Sequence, residues 1–235
     1  MQTAQSVVAE LNKYKDPVKA AFFPSFFKSA PGEYGEGDKF IGATVPNQRI
    51  VARKYKELGL AEVQKLLNSA VHEHRLTGLI ILTLRYPKLS PLLQQEVFDF
   101  YIANVKRGNV NNWDLVDTSA HKIVGAHLEN RDRSILKQLY NSKSLWQERV
   151  AVVATYHFIK NGEFSDTLIM AEKFIKHEHD LIHKAVGWML REIGKQDTAV
   201  LKEFLDRHAS QMPRTMLRYA IEKLPEQNRR YYLEL

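Results

Sequence analysis

Five stretches of the chain resemble one another and recur at nearly regular intervals, and this repetition restricts the fold more than any other feature of the sequence. Each opens with a charged residue and continues with small and apolar residues at helical spacing. The five are RLTGLIILTLRY from Arg75, DLVDTSAHKIVG from Asp114, RVAVVATYHFIK from Arg149, KAVGWMLREIGK from Lys184 and RTMLRYAIEKLP from Arg214. Their starts lie 39, 35, 35 and 30 residues apart, a period typical of stacked pairs of helices.

The sequence therefore predicts an all-α fold, a HEAT/armadillo-like α-α superhelical solenoid in a single domain over residues 1–235. In such a solenoid the second helix of each pair lines a concave groove. Pro46 fits the first turn of its helix, and Ser90 with Pro91 predicts another helix start. The longest irregular stretch, residues 29–46, lacks the Gly-Lys-Ser/Thr of a phosphate-binding loop, so we interpret it as a flexible connection.

The composition excludes several kinds of chemistry. The chain has no cysteine, which excludes disulfides, thiolate metal sites and cysteine nucleophiles. Its first twenty residues lack the layout of a signal peptide, and the best apolar run, residues 76–84, is too short to cross a bilayer. We expect a soluble, cytoplasmic protein without a membrane partner.

Two histidine-rich stretches raise the question of a metal site. HEHDLIH at 177–183 places His179 and His183 one helical turn apart, a spacing that zinc can use, and HEHR occupies 72–75. The His-Glu-x-x-His pattern of zinc hydrolases is absent, and the first stretch falls where a turn between helices is expected. We therefore expect neither a metal nor a cofactor.

The net charge of +7 favours a polyanionic partner, with nucleic acid first and a merely solvated basic surface as the alternative. On the helix from residue 184, one face collects Lys184, Trp188, Arg191 and Lys195. The opposite face is apolar and collects Ala185, Val186, Met189, Leu190 and Ile193. We therefore expect Trp188 to be exposed in a cationic stripe, although tryptophan is usually buried.

Neighbouring repeats carry similar residues. Arg149, Tyr156 and Lys160 fall on one side of their helix, and Arg214 and Arg218 lie one turn apart in the last repeat. Stacking would align these positions into a basic surface with aromatic rings, which suits backbone phosphates and the flat faces of sugars or bases. The alternative for the whole set is a solvated helix face.

Trp113 and Asp117 lie four residues apart at a predicted helix start, which Asn111 or Asn112 can cap. The ordinary interpretation is a packing tryptophan and a carboxylate that stabilises the helix dipole. However, Asp114 already supplies a carboxylate at this helix end. A second one at the edge of a basic groove would repel nucleic acid, so its presence predicts a role other than affinity.

These residues resemble the AlkD family of DNA alkylation-repair glycosylases. The resemblance covers roughly residues 15–225 and includes WDLVD with Trp113 and Asp117, LWQERVAVV with Arg149, HKAVGWMLRE with Trp188, and IGATVP before a basic helix. The Trp-x-x-x-Asp pair and KAVGWMLRE are its most specific parts. Members of the family are HEAT-like helical solenoids, in agreement with the repeat period.

The resemblance implies a function and a set of site residues. It implies hydrolysis of the N-glycosidic bond of cationic N7- and N3-alkylpurines in double-stranded DNA, by a monomer that cradles the duplex without flipping the damaged base into a pocket. Asp117, Trp113 and Arg149 would be catalytic, and Trp188 would line the cleft. Phe26 stands where the family can place a tyrosine, so a hydroxyl contact to DNA is absent there.

Two other functions remain open on the sequence alone. A HEAT-like module without catalytic activity could bind DNA or another acidic partner, and a protein-binding helical repeat would make the basic stripe incidental. The enzyme differs from both at Trp113 and Asp117, because a pure binder gains nothing from a carboxylate in the groove.

Overall fold

The computed structural model describes residues 2–235, which divide between Ile123 and Val124 into two compact units. Helices dominate both units, and the only β feature within the described residues is a bridge between Lys39 and Val71. The predicted all-α class is therefore confirmed, while the single domain over 1–235 stays a prediction. In the same residues, no helix combines the length and the apolar character needed to cross a membrane.

The first unit is built around one buried helix. Its helices are α1 (Ala4–Leu11), α2 (Pro17–Phe26), α3 (Val45–Lys54), α4 (Leu60–Leu67), α5 (His72–Arg85), α6 (Pro91–Lys106) and α7 (Trp113–Ala120). Every residue of α5 from His72 to Thr83 is buried, because α3, α4 and α7 all pack against this helix. α5 therefore carries polar side chains, such as Glu73, into the interior of the unit.

Helix starts in this unit follow the expected local chemistry. Asp16 caps α2 by accepting hydrogen bonds from the Val18 and Lys19 amides, both at 3.1 Å. Pro46 lies in the first turn of α3, as predicted. Ser90 and Pro91 begin α6 as predicted, although the Ser90 side chain makes no capping hydrogen bond.

The connection before α3 is tied to α5, which corrects the interpretation of residues 29–46 as flexible. The Lys39 amide donates to Ala70, and the His72 amide donates back to Lys39, both at 2.9 Å. The buried Glu73 carboxylate accepts from the Ile41 amide at 3.1 Å and from the Gly42 amide at 2.8 Å. Glycines predicted a mobile stretch, but these long-range bonds hold the connection in place.

The second unit is organised around its longest helix, α12. Its helices are α8 (Ser134–Tyr140), α9 (Leu145–Ala154), α10 (Tyr156–Lys160), α11 (Ser165–Phe174), α12 (Asp180–Gln196), α13 (Thr198–His208), α14 (Arg214–Ile221) and α15 (Glu226–Glu234). α12 packs against α9, α11, α13 and α14. The predicted apolar face of α12 is buried, which confirms that prediction for Ala185, Val186, Met189, Leu190 and Ile193.

Gly187 marks a close approach of α12 to α14. A Cβ at this position would lie 2.5 Å from the Met216 carbonyl oxygen and 2.5 Å from the Tyr219 Cβ. Real Cβ atoms do not pack at such distances, so the absence of a side chain permits the tight packing of α12 on α14.

Candidate functional site

Asn112 begins the helix that carries Trp113 and Asp117. Its side-chain oxygen accepts from the Trp113 amide at 2.9 Å, and its amide nitrogen donates to the Phe27 carbonyl at 3.1 Å. The backbone of Asn112 has φ 73° and ψ 150°, a conformation that is strained for any residue except glycine. The two side-chain bonds hold this strained turn, and they select Asn112 over Asn111 as the cap.

Gly35 makes room for this cap. A Cβ on Gly35 would lie 2.6 Å from the Phe27 carbonyl oxygen and 2.8 Å from the Asn112 side-chain nitrogen. The irregular connection therefore contributes directly to the geometry of the helix start, because only glycine leaves space for the Asn112–Phe27 hydrogen bond.

Aromatic rings fix the orientation of Trp113. Its half-buried indole stacks on Phe27, with ring centres 5.6 Å apart and planes 22° apart, and meets Phe26 edge-on at 5.8 Å. Phe27 stacks in turn on Phe40 at 5.4 Å. The Phe26 ring is 49% exposed, so this predicted DNA-contacting residue extends the accessible aromatic surface beside Trp113.

A buried network of charged side chains, the His72 network, lies next to the Phe27 ring. His72 shares hydrogen bonds with Asp114 at 2.8 Å and with Asp38 at 2.9 Å, and Arg75 donates to Asp38 at 2.6 Å. The imidazole also contacts Phe27, with ring centres 4.5 Å apart. The His72 network thus joins α5, the irregular connection and the first turn of α7.

The charges within the His72 network determine the protonation states of His72 and Asp38. Burial opposes an imidazolium at His72, but the carboxylates of Asp114 and Asp38 outweigh burial and raise the pKa of His72 to about 9. Burial raises the pKa of the Asp38 carboxyl, but His72 and Arg75 outweigh it and hold that pKa below its usual value. At neutral pH a buried imidazolium therefore bridges two carboxylates under Trp113.

Asp117 follows Trp113 by one helical turn and is also half-buried, so both side chains lie on the same face of α7. α6 supports this turn, because the Tyr101 hydroxyl and the Ser119 hydroxyl share a hydrogen bond of 2.9 Å. Burial raises the pKa of the Tyr101 hydroxyl, and the negative charge of Asp117 acts in the same direction. The first unit thus places a carboxylate beside an indole on a helix anchored from two sides.

Arg149 lies in the second unit and is buried, with 4% of its surface exposed. Its guanidinium donates to the Leu181 carbonyl. The prediction that Arg149 shares an exposed side with Tyr156 and Lys160 is wrong, because α9 is buried from residue 148 onward and ends before Thr155. Only Lys160 is exposed, and its ammonium lies 4.6 Å from the centre of the Tyr156 ring.

Trp188 lies on the predicted face of α12 but is half-buried, which corrects the expectation of an exposed ring. The indole nitrogen donates to the Glu192 carboxylate at 3.1 Å, and the ring lies 5.7 Å from the Tyr156 ring. A hydrogen-bonded indole with one aromatic neighbour can still offer part of its face to a ligand.

The predicted cationic stripe on α12 is largely neutralised within the protein. Lys184 pairs with Asp180 at 2.6 Å and Lys195 with Glu192 at 2.7 Å. Arg191 pairs with Glu222 of the segment after α14. On α14, Arg214 and Arg218 are exposed, and Arg214 donates to the Leu233 carbonyl at 2.9 Å. The periodicity predicted which side of α12 these cations occupy, but it did not predict their acidic partners.

The two histidine-rich stretches have structural roles. His179 caps α12 by accepting from the Leu181 amide at 3.1 Å, and His183 bonds to the His177 carbonyl. In the HEHR stretch, His74 shares a hydrogen bond of 2.9 Å with Ser69. Sequence reasoning missed His72 as a support for Trp113. The available signal was the density of polar residues at the start of an otherwise apolar helix.

Comparisons with known proteins agree with this fold. The model of a family described as DNA alkylation repair enzyme matches residues 7–224. A solved structure described as a predicted DNA alkylation repair enzyme from Enterococcus faecalis has a TM-score of 0.71 and 16% identity, over 90% of this chain and 97% of that chain. No curated protein sequence gives a significant match.

A second solved structure adds the repeat class of the fold. It is described as a new family of proteins related to the HEAT-like repeat DNA glycosylases with affinity for branched DNA structures. It has a TM-score of 0.61 and 14% identity, over 89% of this chain and 83% of that chain. The likeness confirms the predicted HEAT-like helical-repeat fold.

Proposed function

Because the family model spans nearly the whole chain, the protein belongs to the DNA alkylation repair enzyme family, and we propose that it is a DNA glycosylase acting on cationic N7- and N3-alkylpurines in duplex DNA. The observation that carries the proposal is the pairing of half-buried Trp113 with half-buried Asp117, one turn apart on an anchored helix. The reaction is hydrolysis of the N-glycosidic bond without a cofactor.

The charge of the damaged base explains why one carboxylate is enough. An alkylated purine already carries a positive charge, so it leaves without protonation by a general acid. Ordinary glycosidases need a second carboxyl group for that protonation. The sugar becomes positively charged as the bond breaks, and the Asp117 carboxylate would stabilise that charge and orient or deprotonate the attacking water.

Trp113 would hold the sugar beside this carboxylate. The face of an indole attracts cations by about 0.5–2 kcal/mol, so its contribution grows as the sugar becomes positive. Phe27 restricts the ring and Asn112 fixes the Trp113 backbone, which reduces the entropy lost on ordering the site. Phe26 would add a neighbouring apolar contact to the DNA.

Arg149 stays a proposed member of the catalytic set, with a changed role. A guanidinium has five N–H donors and stays charged at any physiological pH, so in the second unit it provides a fixed positive charge for a carboxylate or phosphate. Its burial favours a positioning role over a broad contact with the DNA backbone. The other residues proposed to contact DNA are Trp188, Lys184, Arg191, Lys195, Tyr156, Lys160, Arg214 and Arg218.

The experiment that tests this function is base release from methylated duplex DNA. We expect the wild-type protein to release N7-methylguanine and N3-methyladenine and to leave unmodified bases in place, because a neutral purine is a poor leaving group without an acid. Chromatography of the released bases provides the measurement. Absence of release under single-turnover conditions would overturn the glycosylase assignment.

One observation favours a second candidate, a DNA-binding module without catalytic activity. The solved structure described as having affinity for branched DNA shares this fold. Such a module would bind duplex or branched DNA in a salt-sensitive way and release no base. The same two measurements, base release and DNA binding, separate the candidates.

A further inference from the structure

A small basic cavity lies on the side of α7 next to Asp117. It has a volume of about 100 Å³ and is bordered by α3, α5 and α7 of the first unit. Its polar lining consists of Arg49, Arg53, Thr83, Thr118 and Lys122, and apolar side chains of α5 complete the wall. Within the described residues no carboxylate lines it. We call it the α3–α7 cavity.

The two arginines of this cavity differ from the cations of α12. Arg49 and Arg53 lie one turn apart on α3 and are exposed, and neither has an ion pair or hydrogen bond to any of residues 2–235. Like charges four residues apart on a helix repel each other, so this arrangement lacks internal compensation. The helix dipole favours Arg53, which lies in the last turn of α3, but it does not account for Arg49.

The position of the cavity relates it to the proposed catalytic residue. Thr118 follows Asp117 directly in α7, and Lys122 comes one turn after Thr118. The cavity therefore adjoins the helix that carries the proposed catalytic carboxylate.

We propose that the α3–α7 cavity binds a backbone phosphate of the DNA strand beside the damaged nucleotide. The proposal rests on the proposed function, because DNA supplies the phosphate. Arg49 and Arg53 present planar forks of N–H donors that match phosphate oxygens, while Lys122 adds a point charge and Thr118 a hydroxyl donor. The phosphate neutralises the paired arginines and fixes the register of the strand relative to Asp117.

The test is the salt dependence of duplex binding, measured by fluorescence anisotropy with a labelled undamaged duplex. We expect the Arg49→Ala/Arg53→Ala double variant to bind at least about tenfold more weakly, since it loses charge-assisted hydrogen bonds. The slope of log K against log salt should decrease in magnitude by about 0.9, the value for one phosphate contact in B-DNA. Arg49→Lys/Arg53→Lys should keep most of the slope, because the charge remains.

The matched control is Arg229→Ala/Arg230→Ala, which removes two positive charges from α15, where both arginines pair with Glu226. This control should keep the wild-type slope. An unchanged slope in the Arg49/Arg53 variant, or an equal decrease in the control, would overturn the cavity proposal while leaving the glycosylase proposal intact. A wild-type protein that binds no duplex at any salt concentration would overturn both. Thermal melting should show that the exposed substitutions leave the fold unchanged.

Discussion

At the scale of residues, the site depends on a few side chains that never touch substrate. The bonds of His72 to Asp114 and Asp38 connect three separate segments of the first unit, and Asn112 fixes the start of α7. Removing one member of a buried charged group leaves the remaining charges uncompensated, which is costly. These residues therefore position Trp113 through the backbone of α7 and through Phe27.

The His72 network predicts that the free energy of unfolding depends on pH. The folded-state pKa of about 9 lies above the ordinary value of 6.5, so folding favours the imidazolium. This contribution is complete below pH 6.5 and is lost as the pH rises through 9. Over this window we expect the free energy of unfolding of the wild type to fall by about 3 kcal/mol more than that of His72→Gln.

Denaturant unfolding at several pH values measures this difference, and His74→Gln is the matched control. Burial lowers the pKa of His74 to about 4, so His74 is neutral throughout the window and its loss should not change the pH dependence. Parallel pH profiles for the wild type and His72→Gln would contradict the bridging role. Asp114→Asn gives the same readout by removing one of the carboxylates that raise the pKa of His72.

At the scale of elements, the sequence predicted individual helices but not the long-range contacts that join them. Helical periodicity and prolines predicted α3, α6 and the buried face of α12, because these are local properties. The hydrogen bond from His72 to Asp114 joins positions that are 42 residues apart, and no local pattern encodes it. The burial of Arg149, whose guanidinium donates to the Leu181 carbonyl, likewise depends on a contact between distant positions.

Gly187 tests the packing of α12 on α14. We expect Gly187→Ala to destabilise the protein by about 1–3 kcal/mol, because the added methyl group overlaps Met216 and Tyr219. Denaturant unfolding provides the measurement. The control is Gly78→Ala inside α5, where the added Cβ would lie no closer than 3.4 Å to its neighbours, so no comparable destabilisation is expected. Equal effects of the two substitutions would show that the two helices can separate at little cost.

At the scale of the whole molecule, the sequence was sufficient for fold class and family. The repeat period predicted a HEAT-like fold, and the resemblance of WDLVD and KAVGWMLRE predicted the family that the comparison shows. The distribution of charge was less predictable, since pairs such as Arg191 with Glu222 join separate segments. Arg49 and Arg53, which line the α3–α7 cavity without an ion pair, lie on α3 of the first unit and outside the predicted stripe of α12.

The central claim is that the Asp117 carboxylate stabilises the sugar cation, and its most direct test is base release by Asp117→Asn beside the wild type on the same methylated duplex. We expect release to slow by about 10²-fold or more while duplex affinity stays near the wild-type value, because the substitution keeps the shape and removes the charge. Asp99→Asn, an exposed carboxylate change on α6, is the control and should leave release unchanged. Full activity in Asp117→Asn would contradict the account.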